Sequence, residues 1–162
     1  MLFSLKKKIY FASIDPLNVI EGIDSMAKEK ILIVEDESII ALDIENMLKG
    51  LGYSVPAVLN KGEDAVKKSE EIEPDLVLMD INLKGTMDGV KAAEIIHNRL
   101  SIPIIYLTAY SDSETLQRAT KTNPYGYIPK PIDCLELHTL IVLTLSSFKM
   151  KKKLEIELEN TV

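Results

Sequence analysis

Short apolar runs alternate with longer amphipathic stretches from Lys30 onward. The first run, "ILIV", stops on three carboxylates, Glu35, Asp36 and Glu37. Positions 38–49 then place Ile39, Ile40, Leu42, Ile44, Met47 and Leu48 at helical spacing, and "GLG" at 50–52 ends the helix they predict. "YSVPAVL" is a weaker strand. Pro56 assigns it to a sheet edge, because proline has no N–H to give to a ladder. "EDAVKKSEEI" predicts an exposed polar helix, "PDLVLMD" a buried strand, and 88–100 a helix with Asp88 as its N-cap. "IPIIYLT" is another buried strand, 112–122 a helix, "GYIPK" a short strand, and 132 to about 149 a final helix.

Strands that are apolar throughout, rather than at every second position, belong to parallel sheets covered on both faces. Five of them alternating with five helices predict a doubly wound α/β fold. Right-handed crossovers bring the C-terminal ends of all the strands to one edge, which is where such sheets bind ligands. The pattern changes at the two ends of the chain. In "KMKKKLEIELENTV", Met150, Leu154 and Leu158 keep helical spacing but are too few to specify a coiled coil. Residues 150–162 therefore read as a charged tail, the solvated end of the last helix. Residues 1–27 read as a flexible extension outside a domain at 28–149. Three lysines at 6–8 followed by "IYFA" resemble a signal peptide, but Asp15 and Pro16 cut the apolar run and no small-residue cleavage site follows. Met26, immediately before the first strand, is a candidate start.

Composition narrows the function classes. The 162 residues are 46% hydrophobic, enough for a full core, and carry a formal net charge of −6. An acidic chain lacks the basic face that nucleic acid requires, so no direct nucleic-acid contact is expected. No run approaches the about 18 apolar residues of a membrane span. The single cysteine, Cys134, excludes an internal disulfide and a cysteine-based zinc site, fits a reducing, cytoplasmic setting, and is read as a small buried helix residue. His97 and His138 have no catalytic partner at suitable spacing.

The chemistry lies at the strand ends. The first strand ends in Glu35 and Asp36, the third in Asp80, the fourth in Thr108 and the fifth in Lys130. Three carboxylates cannot share a pocket as anions without a counter-charge. Mg²⁺ suits them, since it takes a few carboxylate oxygens, a carbonyl and waters, and works with phosphate. Lys130 adds a compact positive charge and Thr108 a hydroxyl. Together they form a preorganised site for negative charge appearing on one carboxylate, as in an aspartyl phosphate. Glu35 and Asp36, adjacent on one loop, are metal ligands in this reading. Asp80, alone at the end of the most apolar strand, is the nucleophile, and the backbone carbonyl of Asn82 reaches the metal from the next loop.

"ILIVEDE", "DLVLMDINL", "MDGVKAAEII", "PIIYLTAYSD" and "GYIPKPI" resemble the receiver domain of two-component response regulators over about 28–149. The resemblance implies a flavodoxin-like sheet of order 2-1-3-4-5. It matches Glu35 and Asp36 to the acidic pair that holds Mg²⁺, Asp80 to the phosphoacceptor, Thr108 to the switch hydroxyl, Tyr127 to the switch aromatic and Lys130 to the site lysine, with a cis bond before Pro131. The implied partners are a sensor histidine kinase or histidine phosphotransfer protein, a downstream protein target, and a homodimer formed on phosphorylation. The implied role is phosphoryl acceptor rather than enzyme, acting without an output domain in this chain. The "INLKGTMDG" loop lacks a proline common in the family and is one residue longer, while Asn82 and Tyr110 stand where relatives tune phosphoryl lifetime. Two other readings remain: a hydrolase or phosphatase using Asp and Mg²⁺, opposed by Asn82 where such enzymes place a second Asp, and a receiver that binds partners without phosphorylation.

Overall fold

The computed structural model describes residues 28–109 and 113–161. Five strands, β1 (Ile31–Val34), β2 (Val58–Leu59), β3 (Leu76–Asp80), β4 (Ile104–Thr108) and β5 (Gly126–Pro129), alternate with five helices. These are α1 (Ser38–Gly50), α2 (Gly62–Ile72), α3 (Gly89–Leu100), α4 (Ser113–Thr120) and α5 (Cys134–Glu159). All the strands are parallel, in the order β2-β1-β3-β4-β5 that the family resemblance implies. The order reverses between β1 and β3, so the ends of these two neighbours flank the crevice of the sheet.

Every residue of β1, β3 and β4 is buried, as their unbroken apolar sequences require. Alternate side chains feed two separate cores. Leu32, Val77, Met79 and Tyr106 meet Ala65 of α2 and Val90, Ala93 and Ile96 of α3. Ile33, Leu78, Leu107 and Ile128 meet Ile44 and Leu48 of α1 and Leu137 and Ile141 of α5 on the other face. Each fully buried leucine or isoleucine contributes about 1.5–3 kcal/mol. The sheet is therefore a close-packed platform for the loops at its edge.

Local signals fix the starts of α3 and α5. The Asp88 carboxylate accepts from Lys91 N at 2.9 Å and the Asp133 carboxylate from Glu136 N at 2.9 Å, each satisfying a donor of the first turn. Gly89, at the start of α3, packs directly on the end of β3: a Cβ there would lie 1.8 Å from the Asp80 carbonyl oxygen. Only glycine fits. Gly89→Ala will shift Asp80 and, as overpacking, lower stability by about 1–3 kcal/mol, read as a lower denaturant midpoint at unchanged slope.

Several expectations need correction. β2 is two residues long rather than seven, since Pro56 has no N–H and breaks the pairing; before it only a bridge from Ser54 to Lys30 forms. Its edge position holds. Ile39 and Leu42 are exposed, because α1 turns Ala41, Ile44 and Leu48 to the sheet instead. Cys134 is exposed, not buried: as the first residue after the Asp133 cap it precedes the first turn that packs. The tail, by contrast, agrees with its reading as the solvated end of the last helix: α5 runs on to Glu159. The expectations for 1–27, the candidate start at Met26, Tyr110 and the helix start at Asp112 lie outside the described residues.

Candidate functional site

The crevice between β1 and β3 gathers the carboxylates predicted from the strand ends. Ligand oxygens of Glu35, Asp36 and Asp80 all lie within 4.8 Å of one another. Glu35 follows the last residue of β1 and Asp80 closes β3; both are buried, and Asp36 is half-buried. The register sets this proximity: Val34 pairs with Met79, so the next residue along each strand is acidic.

Lys130, one residue past β5, lies between the two buried acids. Its ammonium is 2.8 Å from Glu35 Oε2 and 3.4 Å from Asp80 Oδ1. It is anchored by its own backbone, with Lys130 N donating to Thr108 O at 2.8 Å, and the Lys130–Pro131 peptide is cis. Backbone donors hold the acids as well. Glu37 N donates to Glu35 Oε1 at 3.0 Å, Asn82 N to Asp80 Oδ1 at 3.1 Å, and Lys84 N to Asp36 Oδ2 at 3.1 Å. The last of these ties the loop after β3 to the loop after β1. Thr108 is buried at the end of β4, one residue beyond the Asp80–Leu107 pair.

One lysine does not compensate three carboxylates. Burial pushes Glu35 up to about 7, against the opposing pull of Lys130 and the Glu37 N–H, with the Asp80 charge adding to the rise. Burial likewise raises Asp80 above the ordinary carboxylate range, despite the Asn82 N–H and Lys130. For Lys130 the two carboxylates outweigh its own desolvation and raise it. The consequence for stability has a definite sign. Between the unfolded value of Glu35, 4.5, and about 7, the folded chain holds a proton that the unfolded chain has lost. In EDTA, this group will make the chain less stable as pH rises from 5 to 7.5. Thermal denaturation across that range checks the direction, and Glu35→Gln will flatten it.

Tyr127 sits apart from the carboxylates. Half-buried on β5, it stacks on the buried Tyr106 with ring centroids 5.8 Å apart, and its hydroxyl is 3.0 Å from Thr120 Oγ1 of α4. Tyr106 OH lies 2.8 Å from Thr122 Oγ1. Arg118 of α4 donates to Asp88, the cap of α3, at 2.9 Å. Sequence reasoning misses these α4 contacts. Tyr106 reads only as one more apolar residue in "IPIIYLT", and an arginine thirty positions from its aspartate carries no local signal. Gly89 did carry one, since a glycine directly after a capping aspartate suggests a crowded helix start.

The family model for the response regulator receiver domain matches residues 31–142. Transcriptional regulatory protein PdtaR of Mycobacterium tuberculosis is 34% identical over 134 residues, which cover 83% of this chain and 65% of that protein. Phyllosphere-induced regulator PhyR of Methylorubrum extorquens is 36% identical over 117 residues, 72% of this chain and 43% of that protein. The chain thus spans less than two thirds of these relatives. Among solved structures, the receiver domain of a modulated diguanylate cyclase from Desulfovibrio desulfuricans is 38% identical with a TM-score of 0.75, covering 77% of this chain and 99% of that one. The receiver domain of a sensor histidine kinase from Pseudomonas aeruginosa is 31% identical with a TM-score of 0.68, covering 74% and 99%; that structure has a magnesium ion coordinated in its active-site cleft.

Proposed function

We propose, from the premise that this chain belongs to the response regulator receiver domain family of two-component signalling, that it accepts a phosphoryl group on Asp80. The observation that carries this reading is the cluster of three carboxylates within 4.8 Å of one another, two of them ion-paired to Lys130. The oxygen-only donor set suits a hard cation. Glu35 Oε2 is buried and faces the site, where the Lys130 ammonium at 2.8 Å is its partner. Glu35, Asp36 and Asp80, with the carbonyl of Asn82, would hold Mg²⁺. When bound, the ion supplies the positive charge that the carboxylates and a phosphoryl group both lack.

The side chains do the rest. Lys130 and the Asn82 N–H both engage Asp80 Oδ1 and fix the carboxyl, leaving Oδ2 to attack. The P–N bond of a phosphohistidine breaks as the P–O bond to Asp80 forms, and the freed imidazole takes up a proton. The donor is a sensor histidine kinase or a histidine phosphotransfer protein. Lys130 neutralises charge on the phosphoryl oxygens, and Thr108 offers its hydroxyl to them. The move of Thr108 biases a two-state equilibrium in which Tyr127 exchanges its Thr120 contact for a more inward position. The face made by α4, β5 and α5 then changes its affinity for a downstream protein. Among the described residues no helix is long and apolar enough to cross a membrane.

Incubation with acetyl phosphate followed by intact-mass spectrometry tests the reading. A single phosphoryl adduct is expected with Mg²⁺ and none with EDTA. A folded chain that gains no adduct and shows no Mg²⁺ binding by titration calorimetry would instead be a receiver that works unphosphorylated.

A further inference from the structure

The last turns of α5 leave the domain. At 1.5 Å per residue the 26-residue helix is about 39 Å long. Its N-terminal half buries Leu137, Ile141 and Leu145 against the sheet, whereas every residue from Lys149 to Thr161 is exposed. Isolated helices of this length are marginal in water. Met150, Leu154 and Leu158 nevertheless form one apolar stripe along it, 64%, 55% and 69% exposed.

The charges around the stripe are arranged antisymmetrically. Lysines stand one, three and five positions before Leu154, at 153, 151 and 149, and glutamates one, three and five positions after it, at 155, 157 and 159. Met150 and Leu158 stand four positions to either side. Among the described residues, Lys151, Lys153, Glu155, Glu157 and Glu159 form no ion pair. Two copies of this segment laid antiparallel and crossing at Leu154 bring Lys149, Lys151 and Lys153 level with Glu159, Glu157 and Glu155 of the other copy, and Lys152 level with Ile156. Met150 then lies level with Leu158, and Leu154 meets its own equivalent. Laid parallel, the basic block faces a basic block and the acidic block an acidic one.

We infer that the projecting end of α5 is a self-complementary docking surface for a second copy of this chain, antiparallel and two-fold symmetric about Leu154. The match of opposite charge blocks with an unburied apolar seam selects the occupant, since a two-fold interface must complement itself. The overlap of 149–159, about 17 Å of helix, is shorter than a standard interface needs, so association depends on concentration and weakens as salt screens the charges. It needs no phosphoryl group and no metal.

Sedimentation of the full chain carrying Cys134→Ser, in EDTA and without phosphoryl donor, tests this. The average mass should climb toward that of a dimer with concentration. Lys151→Glu with Lys153→Glu should return it to a monomer, and adding Glu155→Lys and Glu157→Lys to that variant should restore the dimer. Orientation is read by disulfide formation: a mixture of Met150→Cys and Leu158→Cys chains should cross-link to each other, and neither should cross-link alone. A wild type that stays monomeric, charge reversals without effect, or cross-linking of the 150 variant to itself would each overturn the inference. Circular dichroism confirms that each variant keeps its helix content.

Discussion

Asp80→Asn will take up no phosphoryl group from acetyl phosphate under conditions in which the wild type is modified, while remaining folded. The amide nitrogen and oxygen of asparagine fill the volume of the carboxyl, and its oxygen still accepts from Asn82 N. What is lost is the anionic nucleophile. The substitution also removes one of two buried charges that the fold already disfavours, since burial raises both Glu35 and Asp80. In EDTA near neutral pH the variant should therefore denature no earlier than the wild type, and its stabilisation by added Mg²⁺ should shrink. An adduct retained on Asp80→Asn, mapped to another carboxylate, would remove Asp80 from the role proposed for it.

Lys130→Met should act in the opposite sense on stability. Methionine matches the length of the lysine stem, so packing is nearly conserved, but Glu35 and Asp80 lose the cation that pairs with both. Leaving buried charges without their partner costs about 3–5 kcal/mol. The loss should be largest at pH 8 in EDTA and smaller at pH 5.5, where Glu35, already pushed up to about 7 in the wild type, is protonated. Added Mg²⁺ should return part of it by replacing the missing charge. Phosphoryl uptake should fall sharply even where stability is restored, because the ammonium also has to meet the incoming oxygens. Chemical denaturation at the two pH values, with and without Mg²⁺, separates these effects. An unchanged midpoint at pH 8 would show that Lys130 does not compensate the pair.

The fold was legible because its determinants are local. Four-to-five-residue apolar runs ending in acid, hydroxyl or lysine are a signal of period and position, and the parallel sheet follows from their being apolar on both faces. The site was legible for the same reason, since Glu35, Asp80, Thr108 and Lys130 all interrupt a strand at the same architectural point. Reading failed where the outcome depends on distant chain. The apolar pattern of α1 did not say which residues would turn inward, and Ile39 and Leu42 faced out. Cys134 was judged by residue type alone, and its place before the first packed turn left it exposed. The Tyr106–Tyr127–Thr120 contacts join three elements, so no single window of sequence contains them.

α4 buries only Ala119, and its ion pair to α3 joins two partly exposed side chains, a kind of contact worth about 0–1 kcal/mol. Its amides should be among the first to exchange with deuterated solvent, by a local opening that leaves β4 protected. An element held this loosely has a small free-energy gap between its alternative placements. A modest bias applied at Asp80 would then suffice to repopulate them, while the central strands keep the carboxylates in register.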